Sequence, residues 1–262
     1  ASAATLLPSE RHPAARPARP ARPVPPAPLS PALSKLLARL PVQDDGEALR
    51  QSLFHSGTHF NPDLLTSEAE RRARLEGVHA ALDRAESLVF LDTESTGGRN
   101  GRLIEVALVE TDVEQNVTGG LHFRCNPHRR SLAGARRVHG IQDCELEHCP
   151  EFAARADELL EAVRGKTVVI HDRTMDLLWL NRELQAARPG APRFEDRCTV
   201  VDSFVLARAI PSERRRNGLD ALLEWYGLGA RGGHHDAYGD AALLSRVFFE
   251  LWWDLDEWLY GE

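Results

Sequence analysis

Two carboxylates one residue apart, Asp92 and Glu94, close the apolar run Leu88-Val89-Phe90-Leu91. An extended chain points residues i and i+2 to one face, so a strand ending here brings both acids to one place. Buried like charges raise each other's pKa unless a cation lies between them, and the cation that prefers carboxylate oxygen is a hard divalent metal. An isolated Asp-x-Glu also ends many ordinary strands in a polar turn, so this reading needs further ligands. Asp176 follows the β-branched run Val168-Val169-Ile170 and falls in the first turn of an expected helix, where the helix dipole alone also favours an acid. His235 stands five residues before Asp240 at the start of the expected last helix. Asp240 can face inward there with the histidine about a turn earlier. An imidazole titrating near neutrality suits a general base, and His234 beside it offers the same chemistry.

The elements that must position these residues can be read from periodicity. Ser67 lies three residues before Glu70, as a capping box requires, and Leu75, Val78, Leu82 and Ala85 mark one face of the helix it opens. That helix leads into the Leu88 strand. Glycines 97 and 98 are followed by a second strand with Leu103, Glu105, Ala107 and Val109 on one face, not by a helix. A third strand, Leu121 to Cys125, is expected after a Gly119-Gly120 turn. Three strands joined by short turns make an antiparallel meander and count against a dinucleotide-binding reading of the glycines, which needs strand, turn and helix. Beyond them come a helix over Phe152 to Val163, a strand over Thr167 to Ile170 and a helix over Met175 to Ala187. A strand over Thr199 to Val201 runs into a helix through Arg208. Helices over Leu219 to Tyr226 and from about Asp236 to Tyr260 complete the order. The expected fold is α/β, a mixed sheet of three antiparallel and then parallel strands flanked by helices.

Three divisions follow. Residues 1–31 are Ala, Pro and Arg in near repetition, a composition that blocks helix and cannot bury a core, so a disordered tail is expected. Its prolines also break the amphipathic helix that an organelle transit peptide would need. Residues 32–86 read as a helical extension, with Leu33, Leu36, Leu37 and Leu40 on one short face ended by Pro41, and with Asp44 and Glu47 as another capping box. Residues 87–262 hold the candidate site. The net charge of -7 is uneven: residues 1–40 carry six basic residues and one acid, +5, leaving -12 for the rest. Metal-binding acids contribute to that total without excluding a basic groove beside them. No run approaches the roughly 18 apolar residues of a membrane span, and four cysteines make no disulfide framework. A soluble cytoplasmic protein with no membrane partner is expected.

Taken together, Leu91-Asp92-Thr93-Glu94-Ser95-Thr96-Gly97, Ile170-His171-Asp172 with Asp176, and His235 with Asp240 resemble the three motifs of the DnaQ-like, or DEDDh, 3′-5′ exonucleases. Further matches are Arg102-Leu103-Ile104-Glu105-Val106-Ala107, Val138-His139-Gly140-Ile141, Asp202-Ser203 with Leu206-Ala207-Arg208, and Asn217-Gly218-Leu219-Asp220-Ala221-Leu222. The resemblance spans about Leu88 to Leu251 and is greatest to the epsilon-type, proofreading branch of DNA polymerase III. It implies a ribonuclease H-like sheet in which Asp92, Glu94, Asp176 and Asp240 hold two divalent ions, Mg²⁺ or Mn²⁺. It also implies His235 as the base, because the family spacing selects it over His234. Tyr238 is two residues before Asp240, not four, which sets aside the tyrosine subgroup. Asp172, Arg173 and Met175 depart from the family's Asn, Ala and Phe, and Ser95 and Ser203 stand where threonine is common.

Substrate contacts are expected from Thr93, Thr96, Gly97, His139 and Asn217. The runs Arg129-Arg130, Arg136-Arg137 and Arg214-Arg215-Arg216 are either solvated faces or phosphate contacts. The expected partner is a single-stranded 3′ end, with DNA favoured over RNA, and a DNA polymerase subunit besides. Two other readings compete. Cys125, His139, Cys144, His148 and Cys149 lack the paired close spacing of zinc sites. A non-catalytic module would use Trp252, Trp253 and Trp258 to dock a partner, whereas tryptophans on a terminal helix commonly pack a core.

Overall fold

The structure, a computed structural model, describes residues 67–261. The expected tail, the Leu33 to Leu40 helix and the Asp44 capping box lie outside the described residues. Helix α1, Glu68–Asp83, begins where the sequence placed it, with the Ser67 hydroxyl accepting from the Glu70 amide. The apolar run becomes β1, Ser87–Ser95, the middle strand of five. Strands β2, Leu103–Asp112, and β3, Val117–Arg124, continue antiparallel on one side of it. Strands β4, Thr167–Ile170, and β5, Thr199–Asp202, lie parallel on the other, giving the order β3-β2-β1-β4-β5. This is the mixed α/β sheet that the residue pattern predicts.

The hairpin between β2 and β3 differs from expectation. Gly119 and Gly120 lie inside β3, opposite Glu110 and Val109. The turn falls earlier, where Asp112 N donates to Asn116 O and Gln115 adopts φ 72°. Glycine serves close approach at position 120, where a Cβ would collide with the Leu108 carbonyl oxygen. The segment expected as one helix over Phe152 to Val163 is also divided. A short 3₁₀ turn, Phe152–Ala154, precedes helix α4, Ala156–Ala162, because Arg155 (φ -115°, ψ -4°) leaves helical geometry. Two short helices that the pattern left unmarked, α2 (Ala133–His139) and α3 (Asp143–Leu146), follow β3.

Alternation along β1 divides the core between the two sheet faces. Leu88 and Phe90 pack with Val109, with Leu75, Val78 and Leu82 of α1, and with the long last helix α8, Ala237–Tyr260, through Leu244, Phe248 and Trp252. Val89 and Leu91 pack on the other face with Leu180 and Leu184 of α5, Thr174–Ala187, and with Phe152 and Phe194. Helices α6, Ser203–Ala209, and α7, Leu219–Tyr226, complete the α8 face. Trp252 is buried and stacked on Phe249, while the Arg72 guanidinium lies over the half-buried Trp258. Among the described residues no helix is long and apolar enough to cross a membrane.

Candidate active site

The acids reach one place from three elements. Asp92 and Glu94 leave the end of β1 on its α8 face, Asp176 comes from the first turn of α5, and Asp240 from the first turn of α8. Asp172 lies in the turn between β4 and α5 with φ 56°, a left-handed conformation that Asp and Asn tolerate better than most side chains. The amides of Asp172 and Arg173 donate to the buried Asp202 carboxylate, each at 3.3 Å. Asp202 also caps α6 through the amides of Phe204 and Val205, so one acid ties the α5 turn to the end of β5. The substitution of Asp at 172 leaves Asp176 in its place.

The electrostatics of the cluster call for a cation. Burial, then the charges of Asp176, Glu94 and Asp240, push the Asp92 carboxyl well above its ordinary range. Burial reinforced by Asp240 pushes Glu94 up to about 8, and burial pushes Asp176 up to about 7 and raises Asp240. Among the described residues, the single grouping of three metal-ligating side chains whose ligand atoms lie within 4.8 Å of one another is Glu94, His235 and Asp240. A protein cation already sits against it. Arg231 Nη1 donates to Asp240 Oδ2 at 2.7 Å and to His235 Nδ1 at 2.6 Å, and its Nε lies 2.8 Å from Asp220 Oδ1. Hard oxygen donors with raised proton affinity and a guanidinium drawn among them fit a divalent metal. Cys125 and Cys198 are buried thiols, and the cysteines form no such group among the described residues.

His235 is half-buried, with Nδ1 3.4 Å from Asp240 Oδ2. Its amide donates to the Val138 carbonyl at 3.0 Å, which ties its loop to the end of α2. His234 turns its ring onto Gly140 instead, where a Cβ would stand 2.8 Å from the His234 Cγ. The two neighbouring histidines are therefore in different settings, and His235 is the one beside the acids.

The expected substrate residues divide. The Thr93 hydroxyl is buried and donates to Asp176 Oδ1 at 2.7 Å, so it is engaged by the protein and not open to a ligand. Thr96 is likewise buried: its Oγ1 accepts from the Arg102 amide and its carbonyl from the Leu132 amide, closing the loop after β1. Gly97, φ 93°, permits α2 to approach, since a Cβ there would lie 2.9 Å from that of Ala135. His139 is buried with Nδ1 accepting from the Ile141 amide, and its Nε2 has no hydrogen-bond partner. Asn217 is half-buried with its Oδ1 also unpartnered. Of the basic runs, Arg214 is no phosphate contact: it is buried and bonded to Tyr226 Oη and Asp254 Oδ2. Arg136 pairs with Asp143, whereas Arg215 and Arg216 are exposed.

Three residues in or near this site carried no role in the sequence reading. Arg231 stands in Ala230-Arg231-Gly232-Gly233, with no periodicity to mark it. Glu105 and Glu183 look like ordinary strand and helix acids. Glu183 is buried and takes both Nε and Nη2 of Arg102, at 2.5 and 2.8 Å, together with the Leu103 amide. From the same helix Trp179 Nε1 donates to the Gly98 carbonyl at 3.1 Å, so α5 grips the loop that follows the first two acids.

Comparison with known proteins accords with this geometry. An exonuclease family model matches residues 89–248. The DNA polymerase III subunit epsilon of Rickettsia felis is 34% identical over 168 residues, covering 62% of this chain and 72% of that protein. The fold is similar to that of E. coli Exonuclease I in complex with a dT13 oligonucleotide, with a TM-score of 0.52 at 20% identity over 63% of this chain. The matched part is 40% of the Exonuclease I chain. A zinc-bound form of that enzyme with single-stranded DNA gives a TM-score of 0.50 at 20% identity. Divalent-metal dependence is a property of the family. With four acids and a histidine convergent at the end of the central strand, and with the family model spanning that whole site, the chain belongs to the exonuclease family as a DnaQ-like 3′-5′ exonuclease.

Proposed function

We propose that Asp92, Glu94, Asp176 and Asp240 hold two divalent ions, Mg²⁺ or Mn²⁺, and that the chain uses them to remove nucleotides from the 3′ end of single-stranded or frayed DNA. Bound there, such ions supply charge stabilisation to the attacking and departing oxygens of a phosphodiester. His235, with Nδ1 3.4 Å from Asp240 Oδ2, accepts the proton of the attacking water. Asp92 and Glu94 hold their places because β1 is paired with β2 through both of them and with β4 up to Leu91, and Asp176 holds its place through Thr93. The observation that carries this reading is the convergence of four carboxyls with raised proton affinity on one half-buried histidine and one arginine.

Proofreading or repair is the role favoured by the likeness to a DNA polymerase III epsilon subunit, and a replicative polymerase subunit is the corresponding partner. The test uses a 5′-labelled single-stranded oligonucleotide with Mg²⁺ or Mn²⁺. A ladder shortening from the 3′ end is expected, and an uncut oligonucleotide with both metals would overturn the reading. Matched DNA and RNA strands in the same assay decide the sugar: faster cleavage of RNA would replace the DNA assignment by an exoribonuclease.

A further inference from the structure

We infer that Glu105 is a positioning residue for this reaction: its buried carboxylate fixes the start of α8, and with it His235 and Asp240, against the strand that carries Asp92 and Glu94. The inference rests on the assignment of those four residues just proposed.

In the β1–β2 ladder Glu105 is directly opposite Glu94. Opposed residues of an antiparallel pair share a face, so Glu105 emerges beside Glu94 and Asp92 on the side that α8 covers. Only 1% of it is exposed, yet both of its oxygens are bonded. Oε1 accepts from Arg124 Nε at 2.9 Å and lies 3.1 Å from His122 Nε2, both on β3. Oε2 accepts from the backbone amide of Ala237 at 3.0 Å.

Ala237 is the first residue of α8 and is itself fully buried. His235 precedes it by two residues and Asp240 follows within the same turn. A carboxylate on a helix N-terminal amide is favoured by both the hydrogen bond and the dipole, and this one is anchored to β3 by a charge-assisted bond. The link therefore runs from the edge strand, through a side chain beside Glu94, to the backbone between the base and the last acid. Asp236 caps the helix through Gly239, and that bond lies wholly within the α8 turn. Glu105 supplies the hydrogen bond from the turn to the sheet, beside the Tyr238 ring that lies against His122 of β3. Burial opposes its ionisation, but the bonds from Arg124, Ala237 and His122 outweigh burial and hold the carboxyl below its usual range.

The test uses Glu105→Gln, Glu105→Ala and Ala237→Pro in the full chain. Proline suits a first helical position, and Asp236 before it is already extended (φ -135°, ψ 141°), so Ala237→Pro removes the amide donor and leaves Glu105 intact. Outer partners of metal ligands change affinity or rate by roughly 10- to 100-fold, and a loss of that size in kcat and in Mn²⁺ affinity by equilibrium titration is expected for Glu105→Ala and Ala237→Pro. Oligonucleotide KM should stay within about twofold, because no base or phosphate contact is removed. Glu105→Gln, whose amide oxygen can still accept from Ala237, should recover part of the loss. The inference is overturned if Glu105→Ala or Ala237→Pro lowers only the melting temperature and keeps the kcat and Mn²⁺ affinity of the unaltered chain. The functional assignment fails separately, through inactivity of the unaltered chain.

Discussion

The Thr93 hydroxyl donates to Asp176 Oδ1 across 2.7 Å with both side chains buried. The bond joins β1 to the first turn of α5 and aims one acid of the cluster at the two that follow Leu91. Thr93→Val keeps the shape and removes the donor, which leaves a buried carboxylate oxygen unsatisfied. Metal affinity and kcat should each fall by roughly 10- to 100-fold, and Thr93→Ser should retain most of both. Mn²⁺ titration and single-turnover cleavage measure this.

The raised carboxyls make metal-free stability depend on pH. Glu94 binds its proton up to about 8 in the folded chain, against an ordinary value of 4.5. Between those values the folded state holds more protons than the unfolded, so the contribution is complete at low pH and is lost as pH rises through the window. Urea midpoints in EDTA should decline from about pH 5 to about pH 8.5, with a shallower slope for Glu94→Gln. Excess Mn²⁺, which supplies the missing positive charge, should flatten the decline. A midpoint that rises with pH in EDTA would contradict the electrostatic account of the cluster.

The two neighbouring histidines should behave differently. His235→Ala should lower kcat by roughly 10²- to 10⁴-fold while oligonucleotide binding persists. His234 packs on Gly140, so His234→Ala should cost stability before it costs chemistry. A larger loss of kcat from His234→Ala than from His235→Ala would move the base by one position.

Arg214 tests which basic residues meet phosphate. It is buried and paired with Asp254, and Arg214→Ala removes that cation and its bonds to Tyr226 Oη and the Ala207 carbonyl, at a cost of about 1–3 kcal/mol readable by urea denaturation. Because Arg214 makes no exposed contact, the salt dependence of oligonucleotide binding should be unchanged, whereas each true phosphate contact on a single strand contributes a slope of about 0.7.

Much of this was legible without coordinates because it is local. The continuous apolar run from Leu88 to Leu91 marked the central strand, the Ser67 and Glu70 spacing marked the start of α1, and Asp236 capped α8 within one residue of the expected boundary. The elements missed are short ones. Helices α2 and α3 have seven and four residues, too few for an amphipathic period to register. The β2–β3 turn was misplaced because a glycine pair commonly marks a turn, whereas at Gly120 it answers to the nearby Leu108 carbonyl.

What the sequence by itself determined is the chemistry: four acids and a histidine, in an order and spacing specific enough to name a family and the reaction that goes with it. What only the tertiary structure decided is which polar side chains act on that chemistry from beside it. Thr93 and Thr96 look open to substrate as residues next to the acids, yet the sheet and loop bury both and occupy their hydroxyls. Glu105 and Arg231 look ordinary in the chain, yet folding sets one on the backbone of Ala237 and the other between Asp240 and His235. The reason is physical. A ligand's identity follows from its functional group, which the sequence states. A supporting contact follows from a distance between segments far apart in the chain, and that distance exists only after the sheet and α8 have packed.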